Sequence, residues 1–444
     1  MRFKVKEIKD KTGVGFGTSG VRGLVTDLTD EVVYGYVLGF LTYIGEIKAV
    51  AIAGDLRDST DHLMQVVGKA AKDFGAEIIN CGKIPTPAVA FYGIQNMIPA
   101  IMVTGSHIPS DRNGIKFYKQ NGEILKSDEQ NILETEVEIK TNDFLTELPE
   151  IDLTARNIYL DRYKKMFEND CLKGMRVGIY GHSAVGKDIL KEILEYLGVE
   201  TTMFGVSDVF IPVDTEVINP EIFEIGKLNG FKYDALVSTD GDSDRPLLGD
   251  ETGTWLRSDI LGILTAKYLK AEIVVNPISC NTALEKTGWF EKIIKTKIGS
   301  PYVVEAMNGE DKVVGYEANG GFFTQDLPTR DAILPLLCWL VLARDKKISE
   351  LKNNLPQRFT WSNEVKAIVD EEKILSKVKS LFNIVETNTI DGWRFLLDNG
   401  EIIHLRASKN SLGFKNYCEA DSENRAIELS DEINNIIKSF IING

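Results

Sequence analysis

Three aspartates stand at alternate positions in DALVSTDGDSDRPLLGDETG (Asp234 to Gly253): Asp240, Asp242 and Asp244. They follow directly on an apolar, β-branched run. Read as an extended loop, this spacing aims all three carboxylates to one side and makes a hard-oxygen site suited to Mg²⁺. Without a cation the three would repel one another. Arg245, next in the chain, is placed to hold a phosphate beside the metal by a two-pronged contact. A calcium loop of the EF-hand type is a rival, because Asp240, Asp242, Asp244 and Glu251 fall at its first, third, fifth and twelfth positions. Its sixth position demands glycine for a sharp turn and here is Arg245, and the flanks read as strand, so that rival fails. A solvated acidic turn is the plain alternative.

A second stretch, IMVTGSHIPSDRNGIKFY (Ile101 to Tyr118), puts Ser106 just beyond the end of an apolar strand, where open α/β sheets place ligands. Gly105 leaves room for close approach, and His107, Arg112 and Lys116 supply donors around the hydroxyl. A serine ringed by cationic donors suits the carrying of a phosphoryl group, with its nearly two negative charges and three strong acceptors. Asn113-Gly114 reads as a tight-turn dipeptide feeding a second strand, IKFY. The plain reading is that this stretch only turns the chain.

Three other stretches carry weaker signals. GHSAVGKD (Gly181 to Asp188) nearly matches the nucleotide P-loop, but Asp188 stands where a hydroxyl should bind Mg²⁺ and would repel phosphates. It is better read as a helix start, with Asp188 favourable near the N-terminus. In VVGYEANGGFF (Val313 to Phe323), Glu317 and Asn319 are acceptors suited to sugar hydroxyls, or parts of a plain turn. In HLRASKNSLGFKNYCEA (His404 to Ala420), Arg406, Ser408, Lys409, Asn410 and Lys415 form a credible phosphate cradle or a solvated basic turn. GFGTSGVRG (Gly15 to Gly23), with Arg22, means little alone.

These loops need elements to hold them. Short β-branched runs alternate with amphipathic helical stretches, which argues α/β architecture. The runs are Ala49 to Gly54, Ala100 to Val103, Arg176 to Tyr180, Ala235 to Ser238 and Glu272 to Val275. Helices are expected over Asp61 to Phe74, Lys187 to Leu197, Ser258 to Leu269, Arg330 to Ala343 and Ser422 to Phe440. Three cycles of strand, loop and helix are visible, without detectable identity between them. Polar or turn-rich boundaries fall at Thr141 to Asp152, Gly249 to Trp255 and Asn353 to Glu364. At roughly 150 residues per domain, 444 residues make about three or four domains.

Composition narrows the function. Hydrophobic residues are 43% and charged residues 26%, an ordinary globular balance that excludes disorder and fibrous repeats. The net charge of −15 makes the chain a poor general binder of nucleic acid or anionic membrane. A phosphorylated ligand therefore needs a local concentration of positive charge. Five cysteines without a close pair exclude a disulfide scaffold or thiolate zinc site and favour a reducing compartment. The start, MRFKVKEIKDK, lacks an apolar core and is not read as a secretory signal. The longest apolar run, Ala332 to Ala343, is too short for a membrane span and contains Pro335, so a buried helix and a cytoplasmic protein are expected.

Taken together and in this order, the stretches resemble the α-D-phosphohexomutase superfamily, above all its phosphomannomutase/phosphoglucomutase members. TGSHIPSDRNGIKFY is similar to the family's catalytic serine loop, and DGDSDR matches its metal loop in full. YEANGG resembles the sugar loop and RASKNSLGFKNYCEA the phosphate loop, while GDLRDST (Gly54 to Thr60) and PTPA (Pro85 to Ala88) resemble further family segments. The resemblance implies three related α/β domains with mixed sheets plus a smaller C-terminal α+β domain around a central cleft. Their expected bounds are 1–148, 149–250, 251–358 and 359–444. It implies a phosphoserine at Ser106, with Mg²⁺ held by that group and by Asp240, Asp242 and Asp244. Arg245, His107 and Lys116 would serve at the reacting end. Arg22, Lys297, Glu317 and Asn319 would meet the substrate, and Arg406, Ser408, Lys409, Asn410 and Lys415 would grip the non-reacting phosphate. The implied activity interconverts hexose 6-phosphate and hexose 1-phosphate, mannose first, through a hexose 1,6-bisphosphate that also primes the enzyme. Phosphoglucosamine mutase and a non-catalytic sugar-phosphate binder are the alternatives. The expected partners are small sugar phosphates, not nucleic acid or membrane, with the chain a monomer or homodimer. Gly105 and Ile108 depart from the family's usual Ala and Asn, and the phosphate loop departs most, with Lys409 for Gly and Lys415 for Arg.

Overall fold

Strands buried on both faces read as unbroken apolar runs, and three such runs become the centres of three sheets. They are Ala49–Gly54, Arg176–Tyr180 and Ile273–Pro277. The structure, a computed structural model, describes residues 2–407 and 413–442. Each central strand has a parallel neighbour on either side. On one side lie Glu77–Lys83, Glu200–Phe204 and Lys292–Thr296 respectively. On the other lie Ala100–Val103, Ala235–Thr239 and Val313–Tyr316. Each strand of this last set then turns into an antiparallel fourth strand: Arg112–Lys119, Pro246–Gly249 and Phe322–Phe323. The same order is thus built three times from unlike sequences.

Helices make the crossovers that parallel strands require. Thr60–Phe74 and Thr86–Asn96 serve the first sheet, Lys187–Tyr196 and Pro220–Asn229 the second, and Ala283–Thr287 and Ser300–Met307 the third. Their ends follow local chemistry. Asn219 accepts a hydrogen bond from the Ile222 N–H (2.9 Å), and Pro220 fills the first helical position, where no donor is missed. Gly75 closes Thr60–Phe74 in the left-handed conformation, φ 99°. The expected α/β architecture and most expected elements are present. The buried apolar run forms the helix Ile333–Leu342, and no helix among the described residues is long and apolar enough to cross a membrane.

Two local expectations need correction. Asn113-Gly114 does not turn; both residues lie inside the strand Arg112–Lys119. A Cβ on Gly114 would meet the Val21 carbonyl oxygen at 2.3 Å, so the glycine serves the close approach of the neighbouring strand Val21–Leu24. The helix expected from Arg330 begins only at Ile333, because Asp331 pairs back with Phe322 across two backbone hydrogen bonds.

The first three sheets share one continuous apolar core, which includes Ala51, Tyr159, Val237, Leu261 and Trp339. The C-terminal sheet is all antiparallel, in the order Phe359–Val365, Phe414–Ala420, Ile402–Ala407, Trp393–Leu397, Ile384–Asn388. The helices Glu371–Leu381 and Glu423–Lys438 help build a separate core around Ile374, Phe395, Leu405 and Ile433. The joint is polar. Buried Arg358 donates to Glu419 (2.6 Å), whose carboxylate also accepts from the Thr282 N–H (3.1 Å).

One buried carboxylate ties the shared core together. Asp331, 2% exposed, accepts from the hydroxyls of Tyr163 (2.6 Å) and Tyr159 (2.9 Å) and from Arg162 (3.2 Å). Asp331→Ala strands these donors, and it is expected to destabilise the protein by about 3–5 kcal/mol, read as a lowered midpoint in thermal or urea unfolding.

Candidate functional site

The three turns between third and fourth strands carry the chemistry. They are 104–111 in the first sheet, 240–245 in the second and 317–321 in the third. All open on one cleft of about 590 Å³, which the C-terminal sheet also borders through Arg406, Lys415 and Tyr417.

Ser106 adopts φ 54°, a left-handed backbone that a non-glycine residue holds only when its surroundings enforce it. The enforcing groups are Asp55 and Arg57, both buried just past the strand Ala49–Gly54. Asp55 accepts from Thr104 Oγ1 (2.7 Å), the Gly105 N–H (3.3 Å) and Arg57 Nε (3.2 Å). The Arg57 guanidinium then donates to the carbonyls of Ser106 (3.0 Å), Ile108 (2.5 Å), Pro109 (2.7 Å) and Arg112 (2.8 Å). A Cβ on Gly105 would lie 2.6 Å from the Arg57 guanidinium carbon, so glycine at 105 is what lets this clamp sit under the loop. Gly105→Ala is expected to dislodge Arg57 and cut turnover by about tenfold or more while the protein stays folded, checked by steady-state rates beside a melting curve.

The acidic trio converges by a different route from the one its spacing implied. The loop is not extended. It folds on itself through a Ser243 N–H to Asp240 C=O bond of 3.1 Å, with Ser243 left-handed at φ 57°. The P-loop-like stretch supports it from behind, where His182 Nε2 lies 2.8 Å from the Thr239 carbonyl and the Val185 N–H donates to the Gly241 carbonyl at 3.0 Å. Gly186 N–H donates to Ser243 Oγ at 2.9 Å. GHSAVGKD is therefore spent on holding the trio, and the helix starts at Lys187 as expected. Glu251, the twelfth position of the rejected calcium loop, accepts from Ser349 instead.

Asp240, Asp242 and Asp244 are each fully buried and offer ligand atoms within 4.8 Å of one another. Ser106 Oγ donates to Asp240 Oδ2 at 2.6 Å, across 134 residues of sequence. Lys116 Nζ spans Asp242 Oδ2 and Asp244 Oδ2, 2.6 Å from each. One oxygen of Asp242 and one of Asp244, both Oδ1, are buried without a hydrogen-bond partner. Burial, reinforced by Asp242 and Asp244, pushes the Asp240 carboxyl well above its usual range. Burial also raises Asp244, but Arg330, then Lys116 and Arg245, outweigh it and hold that carboxyl low. Unpartnered buried carboxylate oxygens around a crowded negative centre fit a hard divalent cation.

The rest of the cleft is cationic. Seven Lys and Arg (Lys9, Arg22, Arg112, Arg245, Arg330, Arg406, Lys415) line it against three acids (Asp27, Glu216, Glu317), in a chain whose net charge is −15. Burial, with Arg245 and Arg330 nearby, pulls the Arg22 guanidinium down to about 10. Burial and the same cationic surroundings hold His107, 3.3 Å from Ser106 Oγ, well below its usual value. Arg245 Nε lies 3.6 Å from Asp244 and 3.8 Å from Asp240. Glu317 and Asn319 sit in the cleft wall, with Asn319 Oδ1 accepting from the Gly321 N–H (3.0 Å) and its carbonyl from Thr215 (2.7 Å). Arg406 keeps a loose pairing with Asp391 (3.5 Å), and its Nε has no hydrogen-bond partner. Lys297 is exposed, with Nζ 5.8 Å from the Tyr302 ring; its neighbour Ile298 lines the cleft. Ser408, Lys409 and Asn410 lie outside the described residues.

The chain is similar to known proteins in sequence and in fold. Residues 13–143 match the family model described as phosphoglucomutase/phosphomannomutase, alpha/beta/alpha domain I, and residues 257–359 match domain III of the same family. A phosphomannomutase from Salmonella muenchen is 39% identical, with 98% of each chain covered. The chain belongs to the phosphoglucomutase/phosphomannomutase family. A phosphomannomutase from Sinorhizobium fredii is 36% identical over 94% of this chain and 97% of that one. The phosphoglucosamine mutase of Thermotoga neapolitana is more distant, 27% identical over 95% and 99%. A solved family protein from Burkholderia thailandensis has the same fold, with TM-score 0.75, 19% identity and coverage of 95% and 97%.

Sequence reasoning missed Asp55, Arg57 and Arg330 as parts of the site. Arg330 is 1% exposed and donates to Asp244 Oδ2 (2.9 Å), Glu317 Oε2 (2.9 Å) and Ser19 Oγ (3.2 Å). For Arg330 the local signal was a charged pair, Arg330-Asp331, ahead of a long apolar run; Asp55 and Arg57 stand in GDLRDST, the segment noted for its family resemblance.

Proposed function

We propose that the protein interconverts hexose 6-phosphate and hexose 1-phosphate, with mannose preferred, through phosphorylated Ser106 and a hexose 1,6-bisphosphate. The observation that carries the reading is the 2.6 Å bond from Ser106 Oγ to the acidic trio, buried directly behind His107 and Arg245 in the wall of a cleft lined by cations. The preference for mannose is supported by the 39% and 36% identical phosphomannomutases.

A phosphate cannot pass directly from C6 to C1 of a hexose. The free hydroxyl of a sugar monophosphate attacks the phosphorus on Ser106; its O–P bond forms as the Ser106 Oγ–P bond breaks, and the hydroxyl proton passes to the freed serine oxygen. The bisphosphate then turns over in the cleft and returns its other phosphate to Ser106. Such transfer depends on positioning and charge neutralisation more than on covalent chemistry. Asp240, Asp242 and Asp244 would hold Mg²⁺ together with a phosphoserine oxygen, and the bound ion would draw charge off the moving phosphoryl group. Lys116 is fixed between two carboxylates at the same place, and Arg245 faces the phosphoryl oxygens. His107 holds an imidazole beside the serine oxygen. Glu317 and Asn319 take sugar hydroxyls, with Arg22 and Lys297 toward the substrate. Arg406, Lys415 and the intervening Ser408, Lys409 and Asn410 grip the far phosphate in both orientations.

We take the chain as four units, 1–148, 149–250, 251–358 and 359–444, with the last closing on the bisphosphate to exclude water. Its separate core and polar joint support this movement. Five free cysteines support a reducing, cytoplasmic setting.

Purified enzyme given mannose, glucose and glucosamine 1-phosphates, with Mg²⁺ and a bisphosphate primer, is expected to form mannose 6-phosphate with the highest kcat/KM; no 6-phosphate from any of the three sinks the reading. Ser106→Ala is expected to lower turnover by at least about a thousandfold. Excess chelator is expected to stop the wild-type reaction, and an undiminished rate in chelator counts against the trio as its metal site.

A further inference from the structure

Among the groups that the mechanism leaves without a task, Arg330 has the most definite geometry. Its planar guanidinium meets acceptors from three separate segments: Asp244 of the trio loop, Glu317 of the sugar loop, and Ser19 near the N-terminus. An ammonium bridges acceptors that converge on one point, as Lys116 does, whereas Arg330 uses Nε, Nη1 and Nη2 of a planar fork to reach acceptors on separate edges. The sugar loop makes room for the stem, because a Cβ on Gly321 would lie 2.5 Å from Arg330 Cγ.

We propose that Arg330 is a positioning residue that links the sugar loop to the acidic trio, so that Glu317 sets how tightly the trio holds its divalent cation. This rests on the trio being the cation site. Arg330 occupies Oδ2 of Asp244 beside Lys116 and leaves Oδ1 buried, 3.6 Å from Arg245 Nε and without a hydrogen-bond partner among the described residues. Its positive charge opposes a cation at that oxygen. Glu317, on another edge of the guanidinium, offsets part of that charge. All three groups are buried, so solvent screens little of the exchange.

The signs follow. Removing the charge of Glu317 leaves the guanidinium directed at Asp244, and the cation binds less tightly. Removing Arg330 takes a like charge away from the cation, which then binds more tightly, while Glu317 loses its orienting partner and turnover falls. An arginine that only braced the fold would weaken both together.

The test is Mg²⁺ titration by calorimetry on the full-length protein without sugar phosphate, in wild type, Glu317→Gln, Arg330→Met and the double variant. Glu317→Gln is expected to weaken Mg²⁺ binding about fivefold or more, and Arg330→Met to tighten it by a similar factor, coupling of ordinary size for linked sites. Added to Arg330→Met, Glu317→Gln is expected to change Mg²⁺ affinity less than about twofold. Arg330→Lys covers the case in which the methionine variant does not fold. It keeps the charge but cannot reach both carboxylates, so the effect of Glu317→Gln is expected to shrink there as well. An unchanged Mg²⁺ affinity in Glu317→Gln overturns the link, as does an equal shift with and without Arg330, or weaker binding in Arg330→Met. A wild-type protein that binds no Mg²⁺ overturns the cation site itself, and the link with it.

Discussion

Three carboxylates held within 4.8 Å of one another, out of contact with water, repel strongly, and the structure is arranged around that repulsion. Cationic and hydroxyl donors from distant parts of the chain supply the compensation: Ser106, Lys116, Arg330 and Thr86 all donate to the trio. Each donor belongs to a different loop, strand or helix start. The electrostatic demand of one short loop therefore fixes how three sheets meet, and the cleft takes its shape from that meeting. A hydroxyl brought against such a centre is well placed to carry a dianion once a cation shares the space.

The three sheets show how such a centre is assembled economically. Each repeats the same strand order, and each places its working loop in the same turn, between the third strand and the antiparallel fourth. One loop carries Ser106, one the three aspartates and one Glu317 and Asn319. The chemistry differs because the residues in an equivalent turn differ, while the turn itself is a property of the topology. The shared core beneath makes the three turns parts of one rigid wall.

Much of this was legible in the chain because the signals were local. Parallel strands announce themselves as apolar runs, so Ala49–Gly54 and Ala100–Val103 were bounded as found. Asp240, Asp242 and Asp244 stand within five residues, and their carboxylates converge even though the loop is folded and not extended. What local pattern could not supply was partnership at long range. Arg57 works on residues about fifty positions away, and Arg330 joins positions 19, 244 and 317. Asn113-Gly114 misled for the same reason: a glycine that turns a hairpin and a glycine that admits a neighbouring carbonyl look alike until the neighbour is known.

The separate core of the C-terminal sheet has a thermal consequence. Arg406 and Lys415, on strands of that sheet, belong to the smaller and less shared body of apolar contacts, while Ser106 and the trio stand on the larger one. Opening on warming is expected to reach the strands of Arg406 and Lys415 first, parting that wall of the cleft from the others while the larger core beneath Ser106 and the trio still holds.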